Sequence, residues 1–213
     1  MLIGLSGGKD SLALVEFIGE WRRIVPFEAM AVHVSMSHVP YQVEISYLES
    51  FCETHGVDFV HREVAFVPDE NSKRNVCFMC SWTRRKILFE VAREFSMSKL
   101  ALGHNLDDVL ETLLMNMTFQ GSISAIPPAL KMDKFDLTLI RPLCQVEESV
   151  LAEYARLKGM VPKQKKCPYE KDSRRNSMKE VLSCLKDMNP KAYQTMWGAM
   201  SNVMPDYLPP ERQ

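Results

Sequence analysis

The residues best suited to chemistry lie near the start of the sequence, where a polar loop follows the apolar run 2–5. The loop consists of Ser6, Gly7, Gly8, Lys9, Asp10 and Ser11. Its two glycines let the backbone approach phosphate oxygens, while the hydroxyls and the lysine offer donors and a cation. A carboxylate among phosphates is repelled unless a divalent cation lies between them, so Asp10 predicts bound Mg²⁺. A tight glycine turn before an ordinary helix is the alternative interpretation. The Walker pattern G-x-x-x-x-G-K-[ST] is absent.

A second polar segment follows the apolar run 99–102. It consists of Gly103, His104, Asn105, Leu106, Asp107 and Asp108. Gly103 allows a close backbone approach to a nucleotide, and the two aspartates offer Mg²⁺ ligands or acid–base groups. Helix capping by Asn105, with acidic residues in the first turn, is a plainer interpretation that is compatible with this one.

Cys77 and Cys80 form a C-x-x-C pair at the start of a predicted helix, where two thiolates can converge on one metal. Such a pair alone is compatible with zinc, a redox dithiol or an iron–sulfur cluster. Cys167, in a basic stretch, is the natural third ligand. Three thiolates leave one iron of a 4Fe–4S cluster open to exogenous sulfide, whereas zinc would need water or Glu170 as its fourth ligand. Cys52, Cys144 and Cys184 are interpreted as structural.

The elements that must position these residues follow from the hydrophobic pattern. Strands are predicted at 2–5, 28–34, 57–66, 99–102 and 137–140. Helices are predicted at 11–23, 43–55, 80–95, 106–119 and 147–158. This alternation predicts an α/β fold with a doubly wound parallel sheet, and it places both polar segments at the carboxyl ends of strands. We divide the chain into an α/β domain, 1–160, and a basic, mostly helical C-terminal extension, 161–213.

Composition limits the class of protein. The chain has 213 residues, of which 46% are hydrophobic and 25% charged, the balance of a soluble globular protein. No apolar run is long enough to cross a membrane, and the start of the chain does not resemble a secretory leader. A cytoplasmic location is therefore expected. A formal net charge of −1 argues against a polycation that coats nucleic acid indiscriminately.

The phosphate loop resembles that of the PP-loop superfamily (the adenine nucleotide alpha hydrolase-like fold), whose members cleave ATP between the α- and β-phosphates. The C-x-x-C pair followed by Arg84, the segment at Gly103 and the run 140–143 (Ile-Arg-Pro-Leu) narrow the resemblance to tRNA-cytidine 2-sulfurtransferases. It extends over about residues 2–170. The resemblance implies that the C2 oxygen of an anticodon-loop cytidine is adenylated and then replaced by sulfur delivered from an iron–sulfur cluster.

The resemblance also implies roles for particular residues. Catalysis is assigned to Asp10, Arg84 and Asp108. Nucleotide binding is assigned to residues 6–11 and to His33, Val34, Gly103, His104 and Asp107. Cys77, Cys80 and Cys167 are the expected ligands of the 4Fe–4S cluster, with zinc as the alternative. The expected cofactors and partners are ATP, Mg²⁺, tRNA, a sulfur donor (sulfide or a cysteine desulfurase relay) and a second copy of the chain in a homodimer.

One departure from the family pattern concerns the substrate. The family usually has a second C-x-x-C pair, but here the segment 167–170 ends in Glu170. The retained Cys167 preserves the third cluster ligand, whereas the missing thiol leaves the modified nucleoside open. Two other functions stay open as well: a PP-loop enzyme that adenylates a small molecule or another nucleoside, and a non-catalytic nucleotide- or metal-binding module.

Overall fold

The computed structural model describes residues 1–37, 44–65, 76–162 and 174–209. The chain divides into two compact units. The first combines residues 1–105 with 127–172, and the second combines 106–126 with 173–213. Within the described residues, no helix is long and apolar enough to span a membrane.

The first unit is built on one six-stranded sheet with the order β3-β2-β1-β4-β6-β5. The strands are β1 (Leu2–Gly4), β2 (Met30–Met36), β3 (Asp58–Val64), β4 (Lys99–Leu102), β5 (Ala129–Lys131) and β6 (Thr138–Ile140). All neighbouring pairs are parallel except β5 with β6. The strand order reverses between β1 and β4, which is the position where open α/β sheets bind ligands. The predicted doubly wound sheet is confirmed.

Seven α-helices lie in the described residues. The first unit holds α1 (Lys9–Arg22), α2 (Ile45–Thr54), α3 (Val76–Glu94) and α5 (Glu148–Leu157). The second holds α4 (Leu106–Met115), α6 (Arg174–Met188) and α7 (Ala192–Ala199). A π-helical turn, Asn116–Gln120, continues α4, and a short 3-10 turn spans Pro205–Tyr207. The helix predicted at 106–119 therefore changes its hydrogen-bonding pattern in its last turn.

Both faces of the sheet are covered by apolar packing. On β1, Ile3 faces a core that includes Leu12 of α1 and Leu151 of α5. The adjacent Leu2 faces a second core, which includes Phe89 of α3. Successive residues of a strand point to opposite faces of the sheet. Because Leu2 and Ile3 are adjacent and both fully buried, the sheet must be covered on both faces at β1.

The second unit has its own core, formed where α4 packs with α6 and α7. It contains Leu106, Leu110, Leu113, Leu182, Ala192 and Tyr193. This grouping differs from the boundary predicted at residue 160, because residues 106–126 belong with the C-terminal helices. The apolar stripe of α4, with its three- and four-residue spacing, is what packs against them.

Candidate active site

The phosphate loop connects β1 to α1 and is held by its own hydroxyls. Gly7 has a φ of 81°, a conformation that glycine adopts readily and other residues avoid. The Ser11 hydroxyl donates to the Gly8 carbonyl (2.9 Å) and lies 3.0 Å from the Ser6 hydroxyl. Gly8 caps α1 without a side-chain hydrogen bond, so the first amides of the helix lack a side-chain acceptor at that position. Such amides favour an anion.

Lys9 lies between two carboxylates. Its Nζ is 3.2 Å from Asp10 Oδ2 and 2.8 Å from Glu148 Oε1. Burial lowers the pKa of Lys9, but the hydrogen bonds and charges of Glu148 and Asp10 outweigh this effect, so the pKa is raised above its ordinary value. Glu148 begins α5 and was not among the residues that the sequence singled out.

Gly103 brings the end of β4 against the phosphate loop. A Cβ at this position would lie 3.2 Å from the carbonyl carbon of Asp10 and 3.2 Å from the amide nitrogen of Ser11. The next two residues follow the same edge of the sheet, with His104 half-buried and Asn105 buried. Two segments predicted to act on one nucleotide are therefore in backbone contact.

A cavity of about 150 Å³ opens beside the loop. It is lined by Gly4, Leu5, Ser6, Val32, His33, Val34, Arg84, Leu88 and Leu102. The His33 ring is fixed by a 2.8 Å hydrogen bond between Nδ1 and the Leu5 carbonyl, and it stacks on His61 at 5.8 Å between ring centroids. Four of the predicted residues (Ser6, His33, Val34 and Arg84) thus line one cavity, although they come from a loop, a strand and a helix.

Asp107 and Asp108 lie in the first turn of α4, in the second unit. There Arg175 Nη1 lies 3.3 Å from Asp108 Oδ1, and Arg175 Nε lies 3.4 Å from Glu111 Oε2. Lys179 Nζ is 3.8 Å from the other Glu111 oxygen, Oε1. Glu111 is only 1% exposed, so α6 supplies two cations to a buried carboxylate of α4. Sequence reasoning did not find this network.

The predicted cluster ligands are only partly described. α3 begins at Val76, four residues earlier than predicted, so the C-x-x-C pair lies in the first two turns of the helix. Cys80 is half-buried there, whereas Cys167 and the side chain of Cys77 lie outside the described structure. No group of three or more His, Cys, Asp or Glu side chains in the described residues is arranged to hold a metal. The ligand set therefore stays a prediction.

A family model and several known proteins are similar to this chain in sequence. A family model described as a PP-loop domain matches residues 1–184. The tRNA-cytidine(32) 2-sulfurtransferase of Syntrophotalea carbinolica is 35% identical over 216 residues, which cover 97% of this chain and 82% of that protein. The enzyme of the same name from Vibrio cholerae serotype O1 is 33% identical over 218 residues, covering 98% and 69%.

A solved structure is also similar. It is the U34-tRNA thiolase NcsA from Methanococcus maripaludis with its 4Fe–4S cluster. The TM-score is 0.81 and the sequence identity 27%, over 98% of this chain and 73% of the thiolase.

Proposed function

Because this chain belongs to the PP-loop family and is a relative of tRNA-cytidine 2-sulfurtransferases, we propose that it is an ATP-dependent tRNA thiolase. It replaces the C2 oxygen of an anticodon-loop cytidine with sulfur. The observation that carries this proposal is the meeting of the phosphate loop, Gly103 and the cavity at one edge of the sheet.

The first unit fits ATP. The amides at the start of α1 suit the phosphate chain, since Gly7 and Gly8 leave space for it and the helix dipole favours negative charge. The cavity beside the loop suits the adenine base, with an apolar lining from β2 and the fixed ring of His33. Asp10 is the expected Mg²⁺ ligand, since a hard cation between phosphate and carboxylate removes their repulsion.

The chemistry has two steps in which atoms and charges balance. The C2 oxygen of the cytidine attacks the α-phosphorus, which forms a C–O–P linkage and expels pyrophosphate. Hydrosulfide (HS⁻) then attacks C2, which forms a C–S bond; the C–O bond breaks, AMP leaves, and the sulfur loses its proton to give the 2-thio group without any change of oxidation state. Arg84 lines the cavity and stabilises the negative charge on the reacting phosphate or base. Asp108 serves as an acid–base group, an assignment that rests on its matching family position.

Cys77, Cys80 and Cys167 are the proposed ligands of a 4Fe–4S cluster. When bound, the cluster supplies an iron site for exogenous sulfide. Cys80 and Arg84 are four residues apart on α3, so they lie on the same face of the helix. Cys80 is therefore one helical turn from a residue that lines the cavity, which supports its proposed role as a cluster ligand. Zinc at the same cysteines is the alternative.

We propose the partners and the location that the family resemblance and the sequence imply. They are tRNA, a sulfur donor (sulfide or a cysteine desulfurase relay) and a second copy of the chain in a homodimer, and the reaction takes place in the cytoplasm. The nucleoside itself is the least constrained element, because Glu170 stands where the family usually has another cysteine.

The deciding experiment is mass spectrometry of tRNA nucleosides from a deletion strain. We expect 2-thiocytidine to disappear and to return when the wild-type gene is restored. An unchanged nucleoside profile would contradict tRNA thiolation and favour an adenylating enzyme that acts on a small molecule.

The metal is tested separately by anaerobic purification. A 4Fe–4S protein is brown and absorbs broadly in the visible range, and Cys167→Ala should bleach it, whereas Cys184→Ala should not. Stoichiometric zinc in a colourless anaerobic preparation would exclude the cluster.

A further inference from the structure

We propose that Glu148 is a positioning residue that holds the Lys9 ammonium at the phosphate loop and limits its pairing with Asp10. This role rests on the proposed function, because it acts on the binding of ATP with Mg²⁺. It concerns a residue of α5, outside the loop itself.

The contacts define the role. The Lys9 ammonium is closer to Glu148 (2.8 Å) than to Asp10 (3.2 Å). The side chain of Lys9 is 22% exposed and that of Glu148 is 35% exposed, so solvent only partly screens the pair. An ion pair in such surroundings is stronger than one on the open surface.

The position of Glu148 is fixed by its helix. It is the first residue of α5, where the helix dipole favours a carboxylate. Leu151, in the next turn, is buried in the same core as Leu12 of α1. At the other end of the helix, Lys158, the residue that follows α5, lies 2.6 Å from Glu16 of α1. The two ion pairs that join α1 to the segment of α5 differ in direction: α1 supplies the cation in the first and the carboxylate in the second. Together with the shared core, they hold Glu148 next to Lys9.

The consequence concerns Asp10. Lys9 forms one ion pair with Glu148 and another with Asp10. If Glu148 is replaced by a neutral residue, the pair with Asp10 remains and Lys9 moves toward it. A lysine bound to Asp10 alone competes with a divalent cation for that carboxylate and is drawn away from the phosphates. ATP with Mg²⁺ should then bind less tightly, although no residue that touches the nucleotide has been replaced.

The test is the dissociation constant of α,β-methylene-ATP, which cannot be cleaved between its α- and β-phosphates, measured by calorimetry with Mg²⁺ present. We expect Glu148→Gln to raise this constant about tenfold, which corresponds to about 1.4 kcal/mol. Glu148→Asp keeps the charge but shortens the reach, so it should have a smaller effect. Glu153→Gln is the matched control, because it breaks an exposed ion pair with Arg156 on the same helix; it should bind as the wild type does.

A double-mutant comparison separates positioning from general destabilisation. In a Lys9→Met background, Glu148→Gln should leave the dissociation constant unchanged, because the side chain it positions is gone. An equal loss in both backgrounds would overturn the proposal, and so would unchanged or tighter binding by Glu148→Gln. If the wild-type protein does not bind the analogue, the proposed function fails first. Melting temperatures of all variants show whether each one is folded.

Discussion

The Cβ that Gly103 lacks would lie 3.2 Å from the carbonyl carbon of Asp10. The backbone just after β4 thus lies against the first turn of α1, at the point where the strand order reverses between β1 and β4. Any larger residue at position 103 must push the phosphate loop, since its nearest neighbours there are main-chain atoms that have no rotamer to change.

We therefore expect Gly103→Ala to weaken binding of α,β-methylene-ATP several-fold. It should also lower the free energy of unfolding by about 1–2 kcal/mol, the usual effect of an added methyl in a tight site. Calorimetry and urea unfolding measure the two effects. Gly198→Ala is the control, because a Cβ at Gly198, in α7, meets nothing within 4 Å and alanine favours helix. Wild-type nucleotide binding by Gly103→Ala would show that the contact is not part of the site.

Arg84→Ala should impair the reaction with little effect on folding. Arg84 lines the cavity next to the phosphate loop, and the proposed mechanism assigns its guanidinium to the negative charge that develops in the reaction. Loss of such a group lowers kcat/KM by roughly 10²–10³. The measurement is thiolation of tRNA by the reconstituted enzyme. Lys86→Ala is the matched control two residues along α3, since Lys86 makes an exposed pair with Glu90 at 3.7 Å. Equal activities of the two variants would remove Arg84 from the mechanism.

The elements that sequence predicts best are the central parallel strands. The predicted bounds of β4, 99–102, are the observed ones, and β1 differs by a single residue. These strands are covered on both faces, so they appear as continuous apolar runs that local patterning can detect. β5 escapes prediction for the opposite reason. It has three residues, all exposed, directly after two prolines, and it exists only because it pairs with β6.

The residues of the candidate site also differ in whether the sequence alone can predict them. Residues 6–11 and Gly103 were predictable because their types have a chemical meaning within a short segment. Glu148 and Arg175 were not, because each acts on a residue far away in sequence: Lys9 for Glu148 and Asp108 for Arg175. The hydrophobic periodicity of a short segment carries no information about an ion pair with a distant residue. Many glutamates also occupy the first turns of helices without any further role.

Arg175 should stabilise the second unit through Glu111. Arg175→Ala removes the cation 3.4 Å from a carboxylate that is 1% exposed and leaves Lys179 at 3.8 Å. Removing one cation from a buried carboxylate weakens the compensation of its charge, so we expect a loss of about 2–3 kcal/mol in urea unfolding. The second change Glu111→Gln should recover part of this loss, because it removes the charge.

Arg156→Ala, which breaks the exposed pair with Glu153, is the control and should cost less than 1 kcal/mol. An equal loss in the two arginine variants would contradict this account.

Cys52 should make the protein less stable at alkaline pH. Burial raises the pKa of this thiol to about 12, whereas in the unfolded chain it ionises near pH 8.5. Above about pH 8.5 the unfolded state releases a proton that the folded state keeps, so rising pH favours unfolding by up to about 1.4 kcal/mol per pH unit until the folded thiol also ionises. Urea unfolding at pH 7, 9 and 10 measures the effect.

Other groups titrate in this range, so the informative quantity is the difference from Cys52→Val, which should lose this part of the pH dependence. Cys184→Ala, at an exposed position, should retain it. If the pH dependence of Cys52→Val matches that of the wild type, the buried thiol is not its source.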